Sequence, residues 1–321
     1  MTTLLTFLSK PSYIIVIKQV VEAYGKLSKR DLRLLRILEV GQHRHEFVPQ
    51  ELVERWARGK REEVLDSLRR LHYLGLIRRN LSPYLGWKIT ASGYDVLAIH
   101  TLRMRRKLLR LSPTPIGVGK ESEVYSGETP GGLKVAVKFY RGGVSSFRYE
   151  KAFESKVKRF KHLRWVYETR LSALAEFFAL GKIFEAGGMV PEPLARTRHV
   201  VVMTYIDGVE LFRLEGGDYK KIAEDVVETL RTALKLGIVH GDLSPYNILV
   251  GGRSYVIDWP QWLPSGHPTA LDYLMRDLGN VASYFGEKGV EIPVEELLEL
   301  ARTSGTAGEL FTAEINKYIY Y

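Results

Sequence analysis

The sequence contains no cysteine. Disulfides, thiolate chemistry and cysteine-held zinc are thereby excluded. No apolar run approaches the roughly 18 residues that a membrane span requires. The short patch "YIIVI" (13–17) lies between Lys10 and Lys18 without a small-residue cleavage site, so a signal peptide is not expected. No G-K-[ST] stands at the spacing of a P-loop. Internal repeats and low-complexity tracts are also lacking. These absences point to a cytoplasmic globular protein without a membrane partner.

At 321 residues, with 45% hydrophobic and 11% aromatic content, the chain has material for two domains, each with its own core. Its net charge of +10 is unevenly spread. Residues 1–110 carry 22 Lys and Arg against 10 Asp and Glu, whereas residues 111–321 carry 25 against 27. The basic excess belongs to the N-terminal third, and such a surface attracts polyanions, nucleic acid above all. A lysine-rich solvated face, or ion pairing of the thermophilic kind, would also account for it.

Apolar periodicity in that third predicts three helices: "KRDLRLLRILEVG" (29–41) with Gly41 as C-cap, "VPQELVERWARG" (48–59), and "KREEVLDSLRRLHYLGL" (60–76). "LIRRNLSPYLGWKIT" (76–90) reads as two short strands around a turn, with a further helix from Ala91 to about Arg110. Helices plus a two-stranded wing describe a winged helix. In that arrangement Lys60, Arg61, Arg69 and Arg70 on the third helix, with Arg78 and Arg79 by the wing, are candidate nucleic-acid contacts. Winged helices serve equally as protein-contact modules. The expected organisation is a winged-helix domain over 1–93, a helical linker over 94–115 with a Pro-containing joint "LSPTP" (111–115), and an α+β domain over 116–321.

The chemistry concentrates in the second part. "GVGKESEVYSG" (117–127) and "LKVAVKFY" (133–140) read as antiparallel strands with a glycine-rich turn, where backbone amides can approach phosphate oxygens. Gly117, Gly119, Lys120, Glu121, Ser122 and Val124 are candidate nucleotide contacts there. Lys138 stands among β-branched and aromatic residues, where a charge needs a partner. Glu176, within the apolar helix "YETRLSALAEFFALGKIFEAG" (167–187), is the preferred partner, and Glu121 is the alternative. "HGDLSPYNILV" (240–250) followed by "SYVIDWPQ" (254–261) completes a phosphoryl-transfer set of the form H-x-D-L-x-x-x-N then I-D. An aspartate can orient a hydroxyl or water and take its proton, which suits Asp242. Asn247 and Asp258 supply hard oxygen ligands for magnesium. His240 is read as a residue that fixes the loop. Strand "RHVVVMTYIDG" (198–208) would place Met203 at the back of the nucleotide pocket, with Thr204 and Ile206 offering main-chain contacts to adenine.

Taken together, "GVGKES", "VAVKFYR", "HGDLSPYNILV", "VIDWPQ" and "GHPTALDYLMRDLGNVASYF" closely resemble the RIO atypical protein kinases. The preceding "YGKLSKRDLRLL" (24–35) resembles the subfamily with an N-terminal winged helix. The resemblance covers roughly residues 20–290. It implies a two-lobed kinase fold, with an N-lobe over about 116–203 and a C-lobe over about 208–321. It also implies a serine kinase or ATPase that uses ATP and Mg2+, with Mn2+ as an alternative ion. Its partner would be the preribosomal small subunit and its rRNA. It makes Asp242 the catalytic aspartate, makes Asn247 and Asp258 metal ligands, and gives Lys138 the α- and β-phosphates and Ser122 a phosphate contact. Trp259 departs from the phenylalanine common in that family, and Thr204 stands near a usual glutamate.

Ordinary protein kinases differ in ways the sequence displays. No A-P-E follows "DWPQ", which leaves no room for an activation loop or peptide platform, and position 244, where those kinases commonly carry lysine, is Ser244. Residues 141–170 instead insert nine Lys and Arg against three Glu, a basic stretch suited to RNA or simply to solvent. Two other classes share parts of the pattern. Small-molecule kinases of the aminoglycoside and choline type also use "HGDL…N" and "IDW", although "GKES", "PQ" and the "HP…RD" helix argue against them. The second is a nucleic-acid-binding scaffold whose nucleotide site is only a sensor.

Overall fold

The computed structural model describes residues 17–142, 161–302 and 305–319. Most of the basic insert, 143–160, and the patch at 13–16 lie outside the described residues. The chain divides into two compact units, 1–99 and 100–321.

In the first unit, α1 (Ile17–Gly25) is followed by α2 (Lys29–Gly41), which a capping box opens. The Ser28 hydroxyl accepts from the Asp31 N–H, while the Asp31 carboxylate accepts from the Ser28 N–H. Then come β1 (Val48–Pro49), α3 (Gln50–Ala57), α4 (Arg61–Tyr73), β2 (Ile77–Asn80) and β3 (Gly86–Ile89). The wing has three strands rather than two, in the order β1-β3-β2, because Val48 and Pro49 pair with Trp87 and Gly86. Leu34, Leu35, Leu38, Val64, Leu68 and Leu71 fill its core.

Gly41 is not the C-cap; Gln42 is. Its need for glycine comes from packing, since a Cβ there would meet Val48 Cγ2 at 2.7 Å and the Trp56 ring at 3.2 Å. The helix after the wing is also shorter than its pattern suggests. Helix α5 (Ala91–Met104) stops before Arg106, whose φ of 55° breaks the spiral. Residues 110–115, expected within a helical linker, belong instead to strand β4 (Arg110–Val118). Pro113 and Pro115 are tolerated because β4 is the edge of its sheet and is bulged around Pro115.

The second unit has two lobes. Its antiparallel sheet runs β4-β5-β6-β8-β7, with β5 (Ser122–Glu128), β6 (Lys134–Tyr140), β7 (Pro193–Thr197) and β8 (Val200–Thr204). On β6 the alternation puts Val135, Val137 and Phe139 on one face. Lys138 and Tyr140 take the other, toward α6 (Arg164–Glu185). The C-lobe begins with β9 (Val209–Glu210), α7 (Tyr219–Lys235) and β10 (Ile238–Val239). Short hairpin strands β11 (Ile248–Val250) and β12 (Ser254–Val256) follow, then β13 (Leu263–Pro264). It closes with α8 (Ala270–Glu287), α9 (Val294–Arg302) and α10 (Ala307–Ile319). Trp259, Trp262, Phe285 and Phe311 are buried in its core.

A buried carboxylate anchors one of the ion pairs that tie the helices of the first unit. Arg70 on α4 donates Nε and Nη2 to the Asp31 carboxylate at 3.1 and 2.9 Å, and Asp31 is fully buried. Burial alone would raise the Asp31 carboxyl, but hydrogen bonds from Arg70 and Ser28 outweigh it and hold the group below the usual carboxylate range. A depressed carboxylate contributes stability that is present above its unfolded pKa and is lost as pH falls through the folded value. Arg70→Ala leaves Asp31 buried with only Ser28 and Ser67 as partners. Because the guanidinium is half exposed, the expected loss is about 2 kcal/mol, below the 3–5 typical of a fully buried pair. Hydrogen exchange of α2 and α4 amides in the full chain should accelerate by about 30-fold at neutral pH, and by progressively less at acid pH. Unchanged protection would show that the pair carries no stability.

Candidate active site

The site forms where β6, α6 and the β11–β12 hairpin converge. Lys138 is buried within an otherwise apolar strand, yet its Nζ lies 2.7 Å from Glu176 Oε1 and 2.8 Å from Asp258 Oδ1. Of the two carboxylates considered as its partner, Glu176 fills the role. Burial disfavours the ammonium, but the two adjacent carboxylates outweigh it and raise the Lys138 pKa, so the group stays charged. The Tyr140 hydroxyl donates to Glu176 Oε2, which satisfies the second oxygen of that buried carboxylate. Burial and the Glu176 charge push the Tyr140 phenol well up, so it remains a neutral donor. Tyr140 is a site residue that sequence reasoning missed; its only signal is its position two residues beyond Lys138, on the same strand face.

Glu176 is held from the other side as well. Trp262 donates its indole N–H to the Ala175 carbonyl at 3.0 Å, and its ring stacks on Phe178 at 5.6 Å between centroids. Helix α6 is thus attached to the C-lobe at the turn that carries the carboxylate.

Asp258 is half-buried and adopts φ 67°, a left-handed conformation that is costly for a residue with a Cβ. Burial would raise its carboxyl, but the Lys138 ammonium prevails and holds it below its ordinary value. Its second oxygen has no hydrogen-bond partner among the described residues. Asn247 donates its amide Nδ2 to the Asp242 carbonyl at 2.7 Å, which leaves its Oδ1 without a partner among the described residues. Two such free hard oxygens on one hairpin suit a hard divalent cation.

The loop between β10 and β11 holds Asp242, whose side chain is 58% exposed and therefore accessible to a reactant. Its backbone is fixed from below. His240 is buried, with Nε2 3.0 Å from the Ile257 carbonyl and Nδ1 3.3 Å from the Asp242 N–H, so it locks the loop to the hairpin that carries Asp258. The Gly241 N–H donates to buried Asp277 on α8 at 2.6 Å, and Arg276 Nη2 donates to the Gly241 carbonyl at 2.6 Å. Gly241 has φ 80°, which requires glycine there. Asn280, one turn further along α8, donates to the Leu243 carbonyl at 3.0 Å. Burial pushes the Asp277 carboxyl up, against the opposing effect of His240 and its hydrogen bonds. Sequence reasoning registered "RD" in α8 only as part of a pattern; a charged pair inside an apolar helical stripe was the available signal.

The glycine-rich turn lies between β4 and β5. Gly117 pairs with Val124, and the Gly119 N–H closes the tip on the Ser122 carbonyl at 2.9 Å. Lys120 is exposed, and the Glu121 carbonyl accepts from the Arg141 and Gly142 N–H groups. Ser122 sits opposite Tyr140 on β6. Met203 is buried at the end of β8. The Thr204 N–H is committed to the Glu192 carbonyl at 2.9 Å and the Thr204 hydroxyl to the Glu192 N–H, so that residue cannot offer its amide. The Ile206 N–H has no partner among the described residues and is the available main-chain donor.

In the first unit, Lys60 precedes α4 and is exposed, Arg61 pairs with Glu54 at 3.1 Å, and Arg69 pairs with Asp66 at 2.7 Å. Both pairs are solvated and weak, so either arginine can exchange its partner for a phosphate. Arg78 and Arg79 are exposed on β2. Arg70 does not belong with them, because its guanidinium braces α4 against α2 through Asp31.

Residues 123–297 match the RIO domain family, and residues 24–105 match the Rio2 N-terminal domain. The RIO-type serine/threonine-protein kinase Rio2 of Methanocaldococcus jannaschii is 34% identical over 261 residues, which span 79% of this chain and 95% of that protein. The serine/threonine-protein kinase rio2 of Schizosaccharomyces pombe is 32% identical over 83% of this chain and 78% of its own length. Among solved structures, the Rio2 kinase–ADP/Mg2+–phosphoaspartate complex from Chaetomium thermophilum is similar with a TM-score of 0.76 and 29% identity, covering 89% of each chain. These matches show that the chain belongs to the RIO family of serine/threonine-protein kinases, in its Rio2 branch.

Proposed function

We propose that this enzyme binds ATP with Mg2+ and acts mainly as an ATPase that cycles between states, with serine autophosphorylation as a side activity. The carrying observation is the shared Lys138 ammonium between Glu176 and Asp258, beside a loop that presents Asp242 outward. Lys138 would hold the α- and β-phosphates, Ser122 and the glycine turn would face the phosphates, and the Ile206 N–H would pair with adenine behind which Met203 lies. Asn247 and Asp258 would hold Mg2+, or Mn2+ in its place, and the ion would neutralise charge on the β- and γ-phosphate oxygens. No activation loop follows "DWPQ" to position an extended peptide, and positioning supplies most of phosphoryl-transfer catalysis. A carboxylate or water is the more accessible acceptor.

The step written for a carboxylate acceptor balances simply. An Asp258 oxygen forms a bond to the γ-phosphorus as the bond to the β–γ bridging oxygen breaks, and ADP leaves. Water then attacks that phosphorus, Asp242 takes its proton, and inorganic phosphate departs from regenerated Asp258. The phosphoaspartate named for the Chaetomium thermophilum Rio2 kinase supports this reading. Before it can react, Asp258 must exchange its contact with Lys138 for the nucleotide complex.

The basic first unit is proposed to contact rRNA of the preribosomal small subunit, in the cytoplasm, through Lys60, Arg61, Arg69, Arg78 and Arg79. The net of +7 over residues 1–99 (17 minus 10) supports it.

Three measurements test these assignments. Asp242→Asn should slow release of inorganic phosphate by roughly 1,000-fold while ATP affinity stays within a few-fold, because Asp242 takes the proton of the attacking water. Asp258→Ala should instead weaken Mg2+-dependent nucleotide binding; equal loss of ATP binding in both variants would refute the division of roles. During turnover with γ-labelled ATP, hydroxylamine-labile label should appear on the enzyme and vanish in Asp258→Ala. Rapid stoichiometric phosphorylation of a protein substrate, with negligible free phosphate, would sink the ATPase reading. For RNA, Arg69→Ala with Arg79→Ala should flatten the log–log salt dependence of binding to structured rRNA by roughly one unit per lost phosphate contact. An unchanged slope would remove α4 and β2 from the interface.

A further inference from the structure

Charge beside Asp242 presents an unsolved requirement. Phosphoryl transfer brings a γ-phosphoryl group, rich in negative oxygen, against a carboxylate base, and an unbalanced approach is repulsive. Lys138 is engaged on the far side by Glu176 and Asp258, and Ser244 supplies no charge two residues beyond Asp242.

Arg276 lies where such a cation is needed. Its Nη2 donates to the Gly241 carbonyl at 2.6 Å, stands 3.3 Å from Asp277 Oδ1, and comes within 3.8 Å of Asp242 Oδ1. The last separation is too long for a hydrogen bond, so Arg276 does not hold the base. Its Nε and Nη1 have no acceptor among the described residues, and the side chain is 47% exposed. The guanidinium rests over the Tyr273 ring at 4.8 Å, which fixes its plane without using its donors. Holding Nη2 against a main-chain carbonyl while the Nε and Nη1 donors stay open leaves the guanidinium both fixed and able to meet a phosphate oxygen.

We propose that Arg276 is a catalytic residue: it contacts the transferring phosphoryl group and supplies from helix α8 the positive charge that the loop lacks at Ser244. This rests on the reading of Asp242 as the proton acceptor. The contact forms as the bridging P–O bond lengthens, so it acts on the rate of the step more than on nucleotide affinity.

The test is single-turnover ADP formation together with ATP–Mg2+ affinity, in the full-length protein. Arg276→Gln should lower the rate by roughly 100-fold, the scale for losing one preorganised donor, with affinity changed by no more than about 3-fold. Arg276→Lys keeps the charge and should lose less than about 10-fold. A Ser244→Lys, Arg276→Gln double variant returns a cation from the loop itself and should regain at least about 10-fold over Arg276→Gln. A bond to Gly241 that is merely structural would not be replaced by that lysine. The proposal is overturned if Arg276→Gln stays within about 3-fold of the parent, or if Arg276→Lys and the double variant are both as slow as Arg276→Gln. Asp242→Asn, assayed alongside, separates the two ideas. Unchanged release of inorganic phosphate by that variant refutes the assignment of the base, whereas slowed phosphate release in Asp242→Asn with an active Arg276→Gln refutes only the role of Arg276.

Discussion

A single ammonium group organises the catalytic unit. Lys138 is set into β6 among valines and aromatic rings, where an unmatched charge would be prohibitive, so two carboxylates must be brought to it. Glu176 arrives on α6 and Asp258 at the end of the β11–β12 hairpin. The requirement therefore fixes a helix of one lobe and a hairpin of the other relative to the same strand. Buried ion pairs of this sort add little net stability, and their effect is to select one arrangement over its competitors. Here the arrangement selected puts a strained, ionised Asp258 at the mouth of the site.

Much of this was legible in the sequence, for identifiable reasons. Lys138 and Glu176 betrayed themselves as charges within apolar runs, and each needed the other. The span of α2 followed from the apolar periodicity of residues 29–41. Asp242, Asn247 and Asp258 announced themselves by spacing, which the loop and hairpin geometry demands. Other features depend on contacts that spacing does not encode. Arg70 lies 39 residues from Asp31, and nothing in "LRRLHY" distinguishes a brace from a phosphate contact. The glycine at 41 looked like a helix stop because glycine commonly is one, whereas here the Trp56 ring and Val48 leave no space for a side chain. Proline suggested a joint at 111–115, but an edge strand tolerates it equally well.

The catalytic loop shows how a short exposed segment becomes rigid. Its apolar contacts come from buried Leu243 and from Tyr246, whose ring stacks on Phe212. Helix α8 supplies Asp277, Arg276 and Asn280 to the backbone of Gly241 and Leu243, on either side of Asp242, and His240 joins the loop to the neighbouring hairpin. Rotamers locked by packing in α8 thus set the position of a base that itself faces solvent. This is why residues remote in sequence belong to the site although none is part of the loop motif.

Trp262 has a consequence for control. Its indole hydrogen bond to Ala175 and its stack on Phe178, with Phe311 packed against both rings, pin α6 beside Glu176. Swinging that helix outward would break a buried hydrogen bond and several ring contacts at once, at a cost of several kcal/mol. A kinase that is switched by helix displacement needs two positions of nearly equal energy. Here those contacts single out one position of α6, the one in which Glu176 meets Lys138. On–off control by an external partner therefore falls to whatever governs entry and departure at the cleft rather than to the seat of that helix.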